Sequence, residues 1–438
     1  MSVSTNGESP TGPATGRSKR VDDRTRVATI RFGAWYDDRD LTLDFPDAWQ
    51  VDPCLPHDGP DIGAEGIAEA FARPIGSAPL RELARGRERA CIVIDDLSRP
   101  TPGHRLVPAV LDELAAAGLA DRDVLVLAGV ANHRPMTRPD LEKKLGAEVL
   151  ARCAVTNHFA WDGCVPVGRT SFGSPVELNA EFMRADLKIL VGSIIPHGAA
   201  GFSGGSKLVF PGIASLASAE AYHRGTCTRG RYAVVETDAR RESDEAARLA
   251  GVDFLVNGIP SSRLGLAGLV TGDVVAAHRA GAEIARRVYA TPAPAGADVC
   301  VLSVYPKDAE FLQYLTAFAP WQTAPAPLVR EGGTVVVALD GSEGLGSHWL
   351  FGPGMRLDGG RAPRVKGRDL VFFAPGIDRG ALPPAARDEA VLFKTWPETL
   401  AWLTNKHGPR ARVSVFPCGT IQLATENGVR EETAARGG

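Results

Sequence analysis

Apolar and polar residues alternate along RVATIRFG and again along DLTLDFP, with a turn-like DDRD between them, which predicts a β-hairpin starting near Val27. From about residue 65 the period changes. GAEGIAEAFAR predicts a helix, and ACIVIDD (90–96) is a short continuous apolar run, the mark of a strand buried on both faces of a parallel sheet. LVPAVLDELAAAG (106–118) is an amphipathic helix stopped by Gly118, DVLVLAG (123–129) a strand, and TRPDLEKKLG (137–146) a helix. DLKILVGS (186–193) is a third buried strand, LASAEAYHR (216–224) a helix, and DVVAAHRAGAEIARRVYA (273–290) a long helix. Strands alternating with helices predict a doubly wound sheet. TPAPAGA (291–297) has the composition of a linker, and beyond it DVCVLSV, GTVVVAL, DLVFFAPG, EAVLFK and RVSVFP restart the alternation. The expectation is an α/β protein: a disordered leader over 1–26, an N-terminal α/β domain over 27–291 and a C-terminal α/β domain over 292–412. Segment 413–438 is expected to pack back on the first domain. Both sheets are expected to be mostly parallel, with the active site in the cleft between the domains.

Charge and composition narrow the function. The 438 residues carry a net charge of −3, which argues against a protein built to hold a nucleic-acid backbone. No apolar run approaches the roughly 18–20 residues that cross a bilayer. Seven cysteines occur without a CxxC, which argues against a disulfide framework or zinc ribbon and fits a reducing cytoplasm. Only nine of the 49 basic residues are lysines, so a lysine in an unusual place is informative.

Ligands of open α/β sheets bind beyond the carboxyl ends of the strands. The three buried strands of the first half end in DDLSRPTP (95–102), GVANHRPMT (129–137) and IIPHGAAGFSGGSKLVFPG (194–212). Side by side, these loops would gather Asp96, Arg99, His133, His197 and Lys207. Arg99 offers a planar fork to a carboxylate or phosphate, and Asp96 can orient it or accept from a hydroxyl; a structural ion pair capping the next helix is the competing interpretation. His133 is placed as a general acid or base, or as a simple hydrogen-bonding residue. HGAAGFSGGSK is a flexible glycine loop whose amides can approach an anion, closed by Lys207; it lacks the P-loop and dinucleotide fingerprints. Its bland alternative is a mobile turn with a solvated lysine. His223, on the helix 16 residues later, matches no zinc spacing.

Taken in order, DDLSRPTP, NHRPMT, PHGAAGFSGGSKLVFPG and the downstream helical His223 resemble the lactate racemase family of nickel-pincer 2-hydroxyacid racemases and epimerases. The resemblance covers almost the whole chain after the leader. It implies that Lys207 anchors a nickel-pincer nucleotide (a pyridinium-3-thioamide-5-thiocarboxylic acid mononucleotide) covalently, with His223 as the protein ligand to Ni(II). It implies that His133 and His197 are the paired acid–base residues on opposite faces of the substrate. Asp96, Arg99, Ser203, Gly204 and Gly205 would bind the cofactor, and Arg99, Gln313 and Thr316 the substrate. Cofactor-maturation enzymes would be the partners, and protein made without them would lack the group. The implied chemistry moves the Cα hydrogen as hydride, which avoids adding negative charge beside a carboxylate.

SVYPKDAEFLQ (303–313) is similar to a strand-end segment of that family, and Gln313 matches its substrate-binding glutamine. Two positions depart from the pattern: Leu312 replaces a tyrosine, and Thr316 stands where the lactate-type enzymes carry a lysine. The departures imply a larger or less polar 2-hydroxyacid than lactate. Two other functions remain open, a nicotinamide-type 2-hydroxyacid dehydrogenase and a non-catalytic protein that binds the pincer cofactor. SEGLGSH (342–348) is expected to shape the cleft. His158 is expected to be structural, and His57, His104, His278, His348 and His407 are expected at the surface or in packing.

Overall fold

The computed structural model describes residues 26–358, 365–382, 387 and 390–426; the leader expected over 1–26 lies outside these apart from Arg26. Two six-stranded sheets organise the chain. The first runs in the order Leu266–Gly272, Phe254–Pro260, Leu187–Ser193, Ala90–Asp95, Val124–Gly129, Ala154–Asn157, parallel except for its first strand. The second runs Ala390–Phe393, Asp369–Phe373, Val329–Ala338, Ala297–Ser303, Arg412–Phe416, Gln50–Pro53, parallel throughout. The α/β class and mostly parallel pairing are those the apolar runs predict. Ala90–Asp95 is buried at every position because helices cover both sheet faces. The hairpin is also as expected, with Val27 opposite Asp44 in the antiparallel pair.

Several elements lie elsewhere than their order in the chain suggests. Residues 27–53, grouped by sequence with the first sheet, lie against the second. Gln50–Pro53 pairs with Arg412–Phe416, while Ile30, Trp49 and Val51 share one apolar cluster with Val299, Val301 and Val413. This covers what would otherwise be an exposed sheet edge. The proline-rich linker begins as a strand: Ala290–Pro292 pairs in parallel with Leu423–Thr425. The returning C-terminal segment therefore adds Arg412–Phe416 inside the second sheet and Leu423–Thr425 beside the end of the Ala276–Tyr289 helix. The helix expected at 137–146 runs over Arg138–Arg152, with a break at Gly146 (φ +77°). No helix among the described residues is long and apolar enough to cross a membrane.

Candidate active site

Each sheet has a point where strand addition reverses direction, and loops beyond such points leave room for ligands. In the first sheet it falls between Ala90–Asp95 and Leu187–Ser193; in the second, between Ala297–Ser303 and Arg412–Phe416. A cavity of about 410 Å³ is lined by loops from both points. The first sheet's loops contribute Asp96, Arg99, His133, His197 and Lys207, with His223 from the following helix; the second contributes Lys307, Gln313, Thr316 and His348. The convergence inferred from strand order is thus present in the structure. The volume suits a nucleotide-sized ligand.

The DDLSRP turn is held from beneath. Lys144, fully buried, contacts the Asp95 carboxylate at 2.7 Å and donates to the Asp96 and Arg99 carbonyls at 2.9 and 2.8 Å. Asp96 is thereby aimed at the neighbouring strand end, where its Oδ2 lies 2.6 Å from His133 Nδ1. Its Oδ1 accepts from the Ser98 amide and hydroxyl. Asp96, expected with Arg99 at the cofactor or substrate, lines the cavity and orients the His133 imidazole. Burial alone would raise the Asp96 carboxyl, but the charge and hydrogen bond of His133, with Arg99 behind them, hold it well below the usual range. Burial likewise works to lower the His133 pKa, and Asp96 outweighs it, so His133 lies above the ordinary histidine value. The His133 loop is pinned by the second half of the chain. Trp349 donates its amide to the Asn132 carbonyl at 2.8 Å and its indole N–H to the His133 carbonyl at 3.1 Å.

His197 has the opposite surroundings. Its Nδ1 accepts from the Ala199 and Ala200 amides at 3.2 and 3.3 Å, so the neutral ring carries its proton on Nε2. Burial first, then the Lys207, Arg99 and Lys307 cations, push it well below the ordinary value. One cavity therefore holds one imidazole whose cation is favoured and one held neutral.

The glycine loop presents Lys207 from a single 3₁₀ turn, Gly205–Leu208. Gly204 and Gly205 have φ of +70° and +59°, and a Cβ on Gly204 would meet Asn257 Oδ1 at 2.4 Å. The Gly205 amide donates to that same oxygen at 2.7 Å. The Ser203 hydroxyl donates to the Ser193 carbonyl at 2.6 Å and accepts from the Ile195 amide at 3.1 Å. Ser203, Gly204 and Gly205, expected as cofactor contacts, build the turn, with the Ser203 hydroxyl and Gly205 amide bonded within the protein, and Ser203 and Gly204 also line the cavity. Beneath it, fully buried Arg240 donates to the Gly204 and Phe202 carbonyls at 2.9 and 2.5 Å, and His278 Nε2 reaches the Ser203 carbonyl at 2.9 Å. Arg240→Leu leaves two buried carbonyls unpaired and is expected to cost on the order of 3 kcal/mol, read as a lower thermal unfolding midpoint. An unchanged midpoint would remove Arg240 as the clamp.

Lys207 is half-buried, and its Nζ has no hydrogen-bond or ion-pair partner among the described residues; the Tyr222 ring lies 5.5 Å away. Burial, opposed by Cys227 and reinforced by Arg240 and Arg99, brings the amine down to about 7. His223, on the Leu216–Arg224 helix, donates Nδ1–H to the Ala219 carbonyl at 2.7 Å, which leaves the lone pair on Nε2. Its ring packs edge-on against Phe351 with centroids 5.1 Å apart.

From the second sheet, Gln313 donates Nε2–H to Glu310 at 3.0 Å, which turns its amide oxygen away from Glu310 as an acceptor. Thr316 lines the cavity, but its hydroxyl donates to the Gln313 carbonyl at 2.7 Å and meets Thr420 Oγ1 at 2.9 Å. Its hydroxyl therefore joins two loops at the cavity wall. His158 is structural as expected, with Nε2 donating to the Ala214 carbonyl at 2.9 Å and burial lowering it to about 4. His348 was expected at the surface or in packing, yet it lines the cavity with its ring centroid 5.1 Å from that of His133. Nothing in SEGLGSH distinguishes that histidine. Lys307 was also passed over, although the scarcity of lysines marks it as clearly as Lys207.

Comparison with known proteins gives the same direction. Residues 36–234 match the model of the lactate racemase N-terminal domain. The lactate racemase of Lactiplantibacillus plantarum is 30% identical over 295 residues, covering 66% of this chain and 68% of that protein. The lactate racemase of Thermoanaerobacterium thermosaccharolyticum is 28% identical over 293 residues, covering 65% and 67%. The lactate racemase apoprotein structure from the latter organism superposes with a TM-score of 0.71 at 22% identity, over 91% of this chain and all of that one. The fold is therefore shared along nearly the full described course, and the family-model match spans the first sheet's loops that line the cavity: this chain belongs to the lactate racemase family.

Proposed function

We propose that the protein interconverts the stereoisomers of a 2-hydroxyacid other than lactate, with a nickel-pincer nucleotide carried on Lys207. The observation that carries this reading is the pair of imidazoles with opposed proton positions, sharing one cavity with an unpaired amine. The cavity suits such a group on three counts. The Lys207 amine is brought close to neutrality, as acylation by a thiocarboxylic acid requires. The His223 tautomer leaves Nε2 as the donor to a metal, with Nδ1–H fixed by a backbone carbonyl. Asn132 Oδ1, in the cavity wall, is buried without a partner among the described residues and awaits a donor.

The bound nucleotide would supply reversible acceptance of hydride from Cα. The protein's share is the hydroxyl proton. His133, with Nδ1–H on Asp96, presents Nε2 to a hydroxyl and keeps the proton it takes as a stabilised imidazolium. His197 at rest presents Nε2–H, a donor to the oxygen of a 2-oxoacid, and serves as base once its ring leaves its two long backbone contacts. Gln313, oriented by Glu310, offers an acceptor to substrate. Leu312, Leu315 and Leu357 in the wall favour a longer, less polar side chain than a methyl.

A panel of single-stereoisomer 2-hydroxyacids, incubated with protein produced alongside the maturation enzymes, tests the reading. Optical rotation is expected to decay to the equilibrium value for at least one aliphatic or aromatic member, faster than for lactate. Unchanged rotation across the panel, with nickel and the adduct present, would favour the non-catalytic cofactor-binding reading. Lactate as the best substrate would refute the proposed specificity.

A further inference from the structure

We propose that Lys307, with Arg99, forms an oxyanion subsite in the cavity, which takes either the carboxylate of the 2-hydroxyacid or the phosphate of the nucleotide. The assignment rests on the function proposed above for its ligands, but not for its existence as an anion site.

Lys307 follows the Ala297–Ser303 strand in a turn closed by its own amide on the Val304 carbonyl at 2.9 Å. The residue is 4% exposed, and its Nζ has no hydrogen-bond or ion-pair partner among the described residues. An ammonium taken out of water is costly unless paired. The carboxylates around it are committed elsewhere. Asp308 accepts from the Gly33 and Ala34 amides at 2.7 and 3.2 Å. Glu310 accepts from Gln313 and from the Ser347 amide at 3.2 Å, and Asp96 holds His133. The fold therefore buries a cation and withholds the anion.

What the cation faces is the cavity. Lys307 lines it together with Arg99 and Gln313, and it also lines a small recess of about 40 Å³ beside His133 and Glu310. Arg99 donates to the Ser98 carbonyl and hydroxyl at 3.1 and 2.7 Å through Nη1 alone, so its remaining donors are uncommitted to any described residue. Lys207 adds a third positive group, and burial first, then repulsion from Arg99 and Lys207, drives Lys307 well below its ordinary value. Among the described cavity residues, Lys307 is the only Lys or Arg supplied by the second sheet, because position 316 holds a threonine whose hydroxyl is occupied. A bound oxyanion would satisfy the ammonium and relieve that repulsion. The nearness of His133 and Gln313 places the charge where the carboxylate end of a 2-hydroxyacid would lie if His133 meets its hydroxyl.

The probes are inorganic phosphate and 2-hydroxybutanoate, titrated calorimetrically into apoprotein. Wild type is expected to bind at least one, Lys307→Gln to bind it about tenfold or more weakly, and Lys307→Arg to stay within about threefold of wild type. In the loaded enzyme, a carboxylate ligand is recognised by a KM for the hydroxyacid at least about tenfold higher in Lys307→Gln, with adduct yield unchanged. A phosphate ligand is recognised by less covalent adduct on Lys207 by intact mass, with unchanged KM in the loaded fraction. Binding of neither anion by wild type overturns the proposal. So do unchanged titrations, KM and adduct yield in a Lys307→Gln protein with the wild-type unfolding midpoint. Anion binding that depends on Lys307 in a protein that isomerises no hydroxyacid would reject the reaction while leaving the subsite in place.

Discussion

Lys207→Ala is expected to give a folded protein with no covalent adduct, little nickel and no measurable isomerisation. The side chain makes no hydrogen bond or ion pair to any described residue, so its removal breaks no structural bond. The turn that carries it is held by Asn257, Ser193 and Arg240, all acting on neighbouring residues. Stability should therefore stay near wild type, or rise slightly as a half-buried cation is removed. Loss of the adduct follows from the proposed role of the amine as the acylated atom. Lys207→Arg separates charge from chemistry: a guanidinium restores the positive charge but stays protonated at neutral pH and is no nucleophile. Both variants, produced with the maturation enzymes, should show the unmodified mass and the wild-type unfolding midpoint. A full-mass adduct on Lys207→Ala would move the anchor elsewhere.

How much of this was legible in the sequence depends on what each signal measures. Continuous apolar runs report burial on both faces, so Ala90–Asp95 and Leu187–Ser193 were plain, and with them the strand ends that carry Asp96 and His197. Phe254–Pro260 was missed because Asn257 interrupts its run. That asparagine is buried in order to accept the Gly205 amide, so the residue that hid the strand is one that shapes the lysine loop. Gln50–Pro53 went to the second sheet because pairing is set by an open edge far along the chain, at Arg412–Phe416, which no local pattern encodes. At the site, residue type gave the members and not their roles. The residue types at Asp96 and Thr316 do not reveal that the carboxylate meets His133 Nδ1 or that the hydroxyl reaches Thr420 of another loop, because both partners lie far along the chain. Lys307 was legible in principle, since a rare lysine at a strand end is the same signal that singled out Lys207.

His133→Ala and His197→Ala are each expected to lower kcat/KM by about 10² to 10⁴. The equilibrium constant of a racemisation is unity, so kcat/KM must fall equally in the two directions for either variant. The two roles separate only in a single turnover. With one histidine gone, one stereoisomer can still lose its hydroxyl proton to the other, so quenched single turnovers should yield 2-oxoacid from one stereoisomer in His133→Ala and from its mirror image in His197→Ala. Asp96→Asn sharpens the assignment. The carboxylate holds the His133 pKa up against burial, so removing its charge lowers that pKa. The limb of the pH profile on which His133 must be neutral then moves to lower pH, while the optimum falls by about tenfold or more as the ring loses its orienting bond. A purely structural Asp96 would lower stability and leave that limb where it was. Oxoacid released equally from both stereoisomers by both alanine variants would mean that neither imidazole carries the hydroxyl proton, and that the base is another group lining the cavity, with His348, 5.1 Å from His133 between ring centroids, the first to test.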